Sequence, residues 1–379
     1  FFYFERNDIE GEFMSEKIKK YIKMLIASLG TVIIVIVCMY HSSCHITPEG
    51  IVLLTDSYSC PKIGEYKVEG GEITVYFTKP VVCEECFVVE ASDDKEISSI
   101  ENFLQSEEKI KVSAEFDEKM NSISYRLASK TIIGKKYELY SVVRDVKGSS
   151  LSFALPFLGE NDHLAGVVIS EINEAYSKKD DMCEYIELYV YSGGNLFGLE
   201  LISASDGKKF ELPAVEVNKG EYIVVHLRKN EDNKNQISEL DSNLNLSRAR
   251  GSVNGARDIW IKNTDSCLSG SADIILLNNK AKNKIIDCLM YCKKEYADSN
   301  DNWKTEALIQ TARQCVDLKL WSGEGKPSDA VFSTERKSIS NISRKNISSI
   351  KSENLPLNNS KCWTGTTRSK MSPGRANRW

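Results

Sequence analysis

From Tyr66 to Leu289 the chain is assembled from short runs in which apolar and polar residues alternate, each closed off by Gly, Pro, Asp, Asn or Lys. Successive side chains of a strand point to opposite faces, so such a run makes a half-buried strand and fits no helix of period 3.6. In Glu72–Phe77, for example, Ile73, Val75 and Phe77 share one face while Thr74 and Tyr76 share the other. Similar runs occur at Tyr66–Val68, Cys86–Glu90, Lys109–Phe116, Ser122–Ala128, Lys136–Val143 and Ser150–Leu155, and a second series runs from Val167 to Leu289. Pro156, Gly159 and the acids Glu160 and Asp162 separate the two series. The expected fold is therefore all-β, with two β-sandwich domains in tandem over residues 66–158 and 165–292.

The alternation stops after residue 292. In Asn302–Val316, Trp303, Ala307, Gln310 or Thr311, and Gln314 or Cys315 recur at three- and four-residue spacing, which predicts one amphipathic helix in a short helical insert over 293–330. Residues 331–379 are left as a basic closing segment of the second domain or as a tail. Residues 336–379 carry ten Lys or Arg and a single acid, Glu353, in a chain whose net charge is −5. Arg336, Lys337, Arg344 and Lys345 are the candidate anion-binding positions there, although the interspersed Ser and Asn equally suit a solvated, weakly ordered segment.

At the N-terminus, Met14 opens a basic stretch, an apolar run of 17 residues follows over Met24–Tyr40, and then comes His41-Ser42-Ser43-Cys44. This is the order of an export signal. Residues 1–13 are then an upstream or non-native leader, 14–43 the signal peptide and 44–65 a linker. Cys44 after two serines resembles the lipobox of bacterial lipoproteins, which implies lipidation at Cys44, with His41 standing where that family carries an aliphatic residue. The apolar run also approaches the roughly 20 residues of a spanning helix, so an uncleaved anchor stays open beside lipidation and soluble export. Each alternative puts the folded part outside the cytoplasm, and lipidation puts it in the bacterial cell envelope, at the outer membrane or the periplasmic face of the inner one.

Chemistry-bearing motifs are sparse. The four histidines are His41, His45, His163 and His226; no nucleophile elbow accompanies any of them, and His226 reads as a strand-edge residue. Glu171 with Glu174, and Glu184 with Glu187, stand three apart, a spacing that points to opposite faces of a strand and does not make an acid–base pair. Cys83-Glu84-Glu85-Cys86 has zinc-knuckle spacing without a nearby second pair of ligands, and reads as a small local disulfide or two unrelated thiols. Asp180, Asp181 and Glu184 form an acidic loop without the spacing of a calcium hand. Gly323-Glu324-Gly325-Lys326-Pro327 has proline where a phosphate-binding helix would begin. Neither a reaction nor a cofactor or metal is expected. The candidate binding surface is the aromatic and acidic face of the second sandwich, formed by Tyr185, Glu187, Tyr189 and Tyr191.

Two family resemblances refine this reading. Gly70–Val81, followed by Tyr125–Ala128 and Val143–Leu151, is similar to bacterial Ig-like domains, with Ser149 where asparagine is usual. Ile169–Ile172, Glu184–Tyr189, Phe210–Pro213, Gly220–Val225, Asp273–Asn278 and Ile285–Asp287 stand in the order of the lamin-tail domain, an Ig-type sandwich. Trp363 and Ser372-Pro373-Gly374-Arg375-Ala376-Asn377 match the closing motif of its bacterial members. The resemblance implies two Ig-like domains on a membrane-anchored envelope lipoprotein. It also implies a non-catalytic binding or structural module for protein, glycan or envelope partners. The alternative is an accessory nucleic-acid-binding protein of an exported nuclease system, acting through the basic C-terminal segment.

Overall fold

The computed structural model of the chain describes residues 60–91, 109–174, 184–263, 265–333, 340–351, 355, 357–367 and 370–378. The leader, the apolar run, Cys44 and most of the expected linker lie outside these residues. Among the described residues no helix is long and apolar enough to cross a membrane. The described chain is all-β and divides into two units, one formed by Phe1–Lys130 with Glu138–Phe157, the other by Thr131–Tyr137 with Leu158–Trp379.

The first unit contains β1 (Ile63–Glu69), β2 (Glu72–Phe77), β3 (Val81–Glu90), β4 (Ile110–Asp117), β5 (Ser122–Leu127) and all but the terminal residues of β6 (Lys136–Asp145) and β7 (Ser150–Leu158). They bond in the order β1-β2-β5-β4-β3-β6-β7. β1 begins at Ile63, inside the stretch expected to be linker. Gly70 and Gly71, both left-handed at φ +62° and +76°, make the two-residue connection that lets Glu69 face Glu72. Along β2, Ile73, Val75 and Phe77 are buried and their neighbours are not, as the period of two requires. The Tyr66 hydroxyl donates to the Pro156 carbonyl at 2.9 Å, so the sheet curls until its two edge strands meet around Val75, Ile123, Leu139 and Val143.

The second unit contains β8 (Gly166–Asn173), β9 (Tyr185–Ser192), β10 (Gly194–Asn195), β11 (Leu199–Ser203), β12 (Lys209–Glu211), β13 (Glu216–Val217), β14 (Tyr222–His226), β15 (Arg257–Trp260), β16 (Ala272–Asn279), β17 (Lys284–Lys293), β18 (Val331–Ser333), β19 (Ser340–Arg344) and β20 (Trp363–Thr367). A six-stranded sheet, β15-β14-β9-β8-β19-β20, faces a five-stranded sheet, β12-β11-β16-β17-β18, across one apolar core. Val167, Ile169, Leu188, Ile223 and Val225 enter that core from the first sheet, and Leu199, Leu201, Ile275, Leu277 and Leu289 from the second. Nearly every residue of β8, β9, β16 and β17 is buried, so these sheets are covered on both faces.

Two expectations are corrected here. The insert over 293–330 holds two helices, α1 (Lys294–Asp298) and α2 (Glu306–Asp317), and Trp303 lies before α2 instead of on it. Thr305 supplies the reason: its hydroxyl accepts from the Leu308 amide as an N-cap, which starts the helix after Trp303, and α2 then buries Leu308, Ala312 and Cys315. The tail reading of 331–379 is also corrected. That segment contributes β18, β19 and β20, and its Asn341, Ser343, Arg344, Asn358 and Ser372 donate to the buried carboxylates Glu171 and Asp287.

Candidate functional site

The site begins with a single extra residue. Ile169 pairs with Leu188 and Glu171 with Glu187, which leaves Ser170 as a bulge on β8. A bulge shifts the alternation by one, so Ile169 and Ile172 both enter the core while Glu171 turns to the outer face beside Glu187. Two carboxylates sixteen residues apart thus become cross-strand neighbours, both inaccessible to solvent.

Their surroundings differ. Glu171 accepts five hydrogen bonds, from the Tyr185 hydroxyl at 2.5 Å, the Ser372 amide at 3.0 Å, the Ser372 hydroxyl at 3.0 Å, the Ser343 hydroxyl at 2.8 Å and the Asn341 side-chain amide at 3.1 Å. Glu187 accepts from the Gly374 amide at 2.6 Å through Oε2, and its buried Oε1 meets no donor. Burial first, and then the charge of Glu171, push the Glu187 carboxyl well above the usual carboxylate range. The Ser170 side chain and the Gly374 amide oppose that shift more weakly.

A second polar knot joins the sheets beside this pair. The Arg344 guanidinium on β19 donates to both Asp287 oxygens on β17, at 2.9 and 2.8 Å, and to Asn358 Oδ1 at 2.5 Å. Asp287 also accepts from the Ile169 amide and from Asn358 Nδ2, each at 2.8 Å. The guanidinium lies 4.6 Å from the centroid of the Trp363 ring. Asn377 Nδ2 donates to the carbonyls of Arg344, at 2.8 Å, and Ser170, at 3.0 Å, so the C-terminal segment ties both knots together.

The residues expected to form an exposed binding surface are in this interior. Tyr185 and Glu187 line the carboxylate seam, and Tyr189 and Tyr191 pack in an apolar cluster with Val168, Ile347 and Ile350. The surface reading is corrected: the outward face exists, but Ile347, Ile350, Ser372 and Gly374 pack over it. Arg344 is likewise no anion-binding residue, since Asp287 already occupies its guanidinium. Lys345 is half-exposed, with its ammonium donating to the Lys361 carbonyl at 3.2 Å. Arg336, Lys337 and Cys44 lie outside the described residues.

His226 is not at a strand edge, because β14 is paired on both sides by β9 and β15. Its ring stacks on Trp260 with centroids 3.8 Å apart, and its Nε2 lies 2.6 Å from Asp258 Oδ1. Of the acidic loop, Glu184 accepts from Arg228 Nη2 and the Ser266 hydroxyl, each at 3.1 Å, and from the Cys267 amide at 2.9 Å, while Asp180 and Asp181 lie outside the described residues. Among the described residues no group of His, Cys, Asp and Glu is arranged to hold a metal ion.

Of the seam's partners, Asn341, Ser343 and Asn358 belong to no motif, and Asp287 and Ser372 stand in the lamin-tail-like motifs without an assigned role. One signal did exist. Asp287 interrupts the apolar run Ile285–Met290, and a charge inside a strand buried on both faces must meet an opposite charge. What the arrangement does chemically is to bury one ion pair and one carboxyl of raised pKa against polar groups of the chain's own C-terminal segment.

The model of the protein family described as "TP_1001_2nd: protein second domain" matches residues 165–364, just over half of the chain. An uncharacterized protein of Treponema pallidum (strain Nichols) is 29% identical over 178 residues, which is 46% of this chain and 44% of that protein. The chain thus spans less than half the length of this curated relative. Among solved structures, the N-terminal part of the bacterial S-layer protein SbsC aligns at 13% identity over 62% of this chain and 44% of its own, with a TM-score of 0.23. Domains 1–6 of the same protein align with a TM-score of 0.21. Overlap at this level leaves the fold described above to stand on its own geometry.

Proposed function

We propose that the chain, which belongs to the TP_1001_2nd family through its second domain, is a membrane-anchored envelope lipoprotein, a reading supported by the sequence around Cys44. Its two Ig-like sandwiches, the second of lamin-tail type, serve as a non-catalytic binding or structural module for protein, glycan or envelope partners. One observation carries the non-catalytic part of this reading. The polar and aromatic side chains of the second unit's outer sheet face, which a substrate would need, are engaged by Ser343, Ile347, Ile350, Ser372 and Gly374 of the same chain. Glu171, Glu187 and Arg344 then act as fasteners, and recognition falls to loops and to the remaining surface.

The anchoring part rests on the sequence around Cys44. The test is the intact mass of the protein recovered from bacterial membranes, beside a Cys44→Ala variant. We expect a chain that begins at Cys44 and carries acyl groups, with the variant released or unprocessed. A chain beginning at Met14 in both preparations overturns the lipoprotein reading in favour of an uncleaved anchor.

A further inference from the structure

The first unit places two thiols together on β3 in a way that strand geometry alone does not provide. Residues three apart in a regular strand are about 10 Å apart along its axis and point to opposite faces. Cys83 and Cys86 nevertheless line one and the same cavity, and each thiol shifts the titration of the other. Between them Glu84 and Glu85 are both exposed, a break in alternation that marks the local fold in the strand. The Cys83 thiol donates to the Glu85 carbonyl at 3.5 Å and lies 3.6 Å from the Ser141 hydroxyl. Ser141 in turn donates to the Glu85 carbonyl at 3.1 Å and meets the Tyr125 hydroxyl at 3.0 Å. Cys86 donates to the Val112 carbonyl at 3.6 Å. Both thiols are half-buried and line a cavity of about 300 Å³ that Ala114, Phe116 and Ile123 complete.

The two sulfurs are unequal. The hydrogen bond from Cys86, helped by Ser141 and opposed by burial, lowers the Cys83 thiol to about 7. The same contact and burial raise the Cys86 thiol above its ordinary range. One thiol is thus prepared to attack and the other to follow.

We propose that Cys83 and Cys86 are a thiol–disulfide exchange site whose substrate is a low-molecular-weight disulfide. The Cys83 thiolate attacks one sulfur of the disulfide, forms a mixed disulfide and expels the first small thiolate. Cys86 loses its proton and attacks the Cys83 sulfur, which closes the Cys83–Cys86 bond and expels the second. Both expelled thiolates take up protons, so two protein thiols are oxidised as one small disulfide is reduced to two thiols.

The test exposes the reduced full chain to glutathione disulfide at neutral pH, blocks remaining thiols by alkylation and maps peptides without reduction. The expected result is a linked Cys83–Cys86 peptide in the wild type and a glutathione adduct trapped on Cys83 in Cys86→Ser. In Cys83→Ser the adduct on Cys86 should form at least about tenfold more slowly. Differential alkylation of the unmodified chain against pH adds a measurement free of any folding defect in the variants, and Cys83 should react with a midpoint near 7. An unlinked pair, a linkage to Cys60 instead, or equal reactivity of the two thiols overturns the proposal.

Discussion

At Glu187, burial and the charge of Glu171 act in the same direction, and the consequence is a pH dependence of definite sign. The folded carboxyl titrates above the unfolded value of about 4.3, so its contribution to stability is fully present below that pH and declines as pH rises towards the folded value. Glu187→Gln keeps the shape and removes the titration. In urea titrations from about pH 3.5 to 8, we expect the variant to match the wild type at the acid end, below the unfolded value, and to exceed it at the alkaline end. Parallel curves across the range would show that Glu187 is not held protonated. Glu171→Gln sets an amide among five donors, and a loss of about 2–4 kcal/mol in stability is expected in the same titrations. For the second knot, Arg344→Met strands Asp287 inside the protein and should lower stability by about 3–5 kcal/mol. Joining it to Asp287→Leu should restore much of that loss, and a double-mutant cycle reads the coupling directly.

The elements that close the second unit are short and irregular, and their conformation depends on particular residues. Gly374 sits at φ +73°, and a Cβ there would lie 2.5 Å from the Ala256 Cβ. Gly374→Ala therefore adds backbone strain to a steric overlap, and a fall of about 1–3 kcal/mol in denaturant unfolding is expected, with hydrogen exchange rising first in β8 and β9. Unchanged protection in those strands would mean that the segment rests on the sheet without holding it. Strand positions were largely legible in advance, since period-two alternation follows from backbone geometry alone. The bulge at Ser170 could also have been read, from Ile169 and Ile172 standing three apart in one strand when both belong in the core. The start of α2 was missed because Trp303 fits the helical spacing, whereas the Thr305 cap decides where the helix begins.

Across the whole molecule, the excess of positive charge in the last 44 residues is partly an internal resource. Arg344 is consumed inside the second unit, while Lys351, Lys361, Lys370, Arg375 and Arg378 remain exposed. Deleting residues 336–379 would remove β19 and β20 from their sheet, so the nucleic-acid alternative is better tested by replacing the exposed cations with Gln in an otherwise intact chain. The envelope reading expects weak binding to a DNA duplex at physiological salt, little changed by those replacements. Tight, salt-steep binding that disappears with them would favour the nucleic-acid reading. By itself, the sequence determined the all-β class, most strand positions and the polarity of each strand face, because these follow from residue order and the two-residue repeat. Only the tertiary structure decided what covers the outer face of the second unit. Alternation tells which side chains point away from one core, and it carries no information about a segment more than 150 residues away that folds back to cover them. Glu171 with Ser372, 201 residues apart, is a pairing of that kind, and Asp287 with Arg344, 57 residues apart, likewise depends on the fold to bring its strands together.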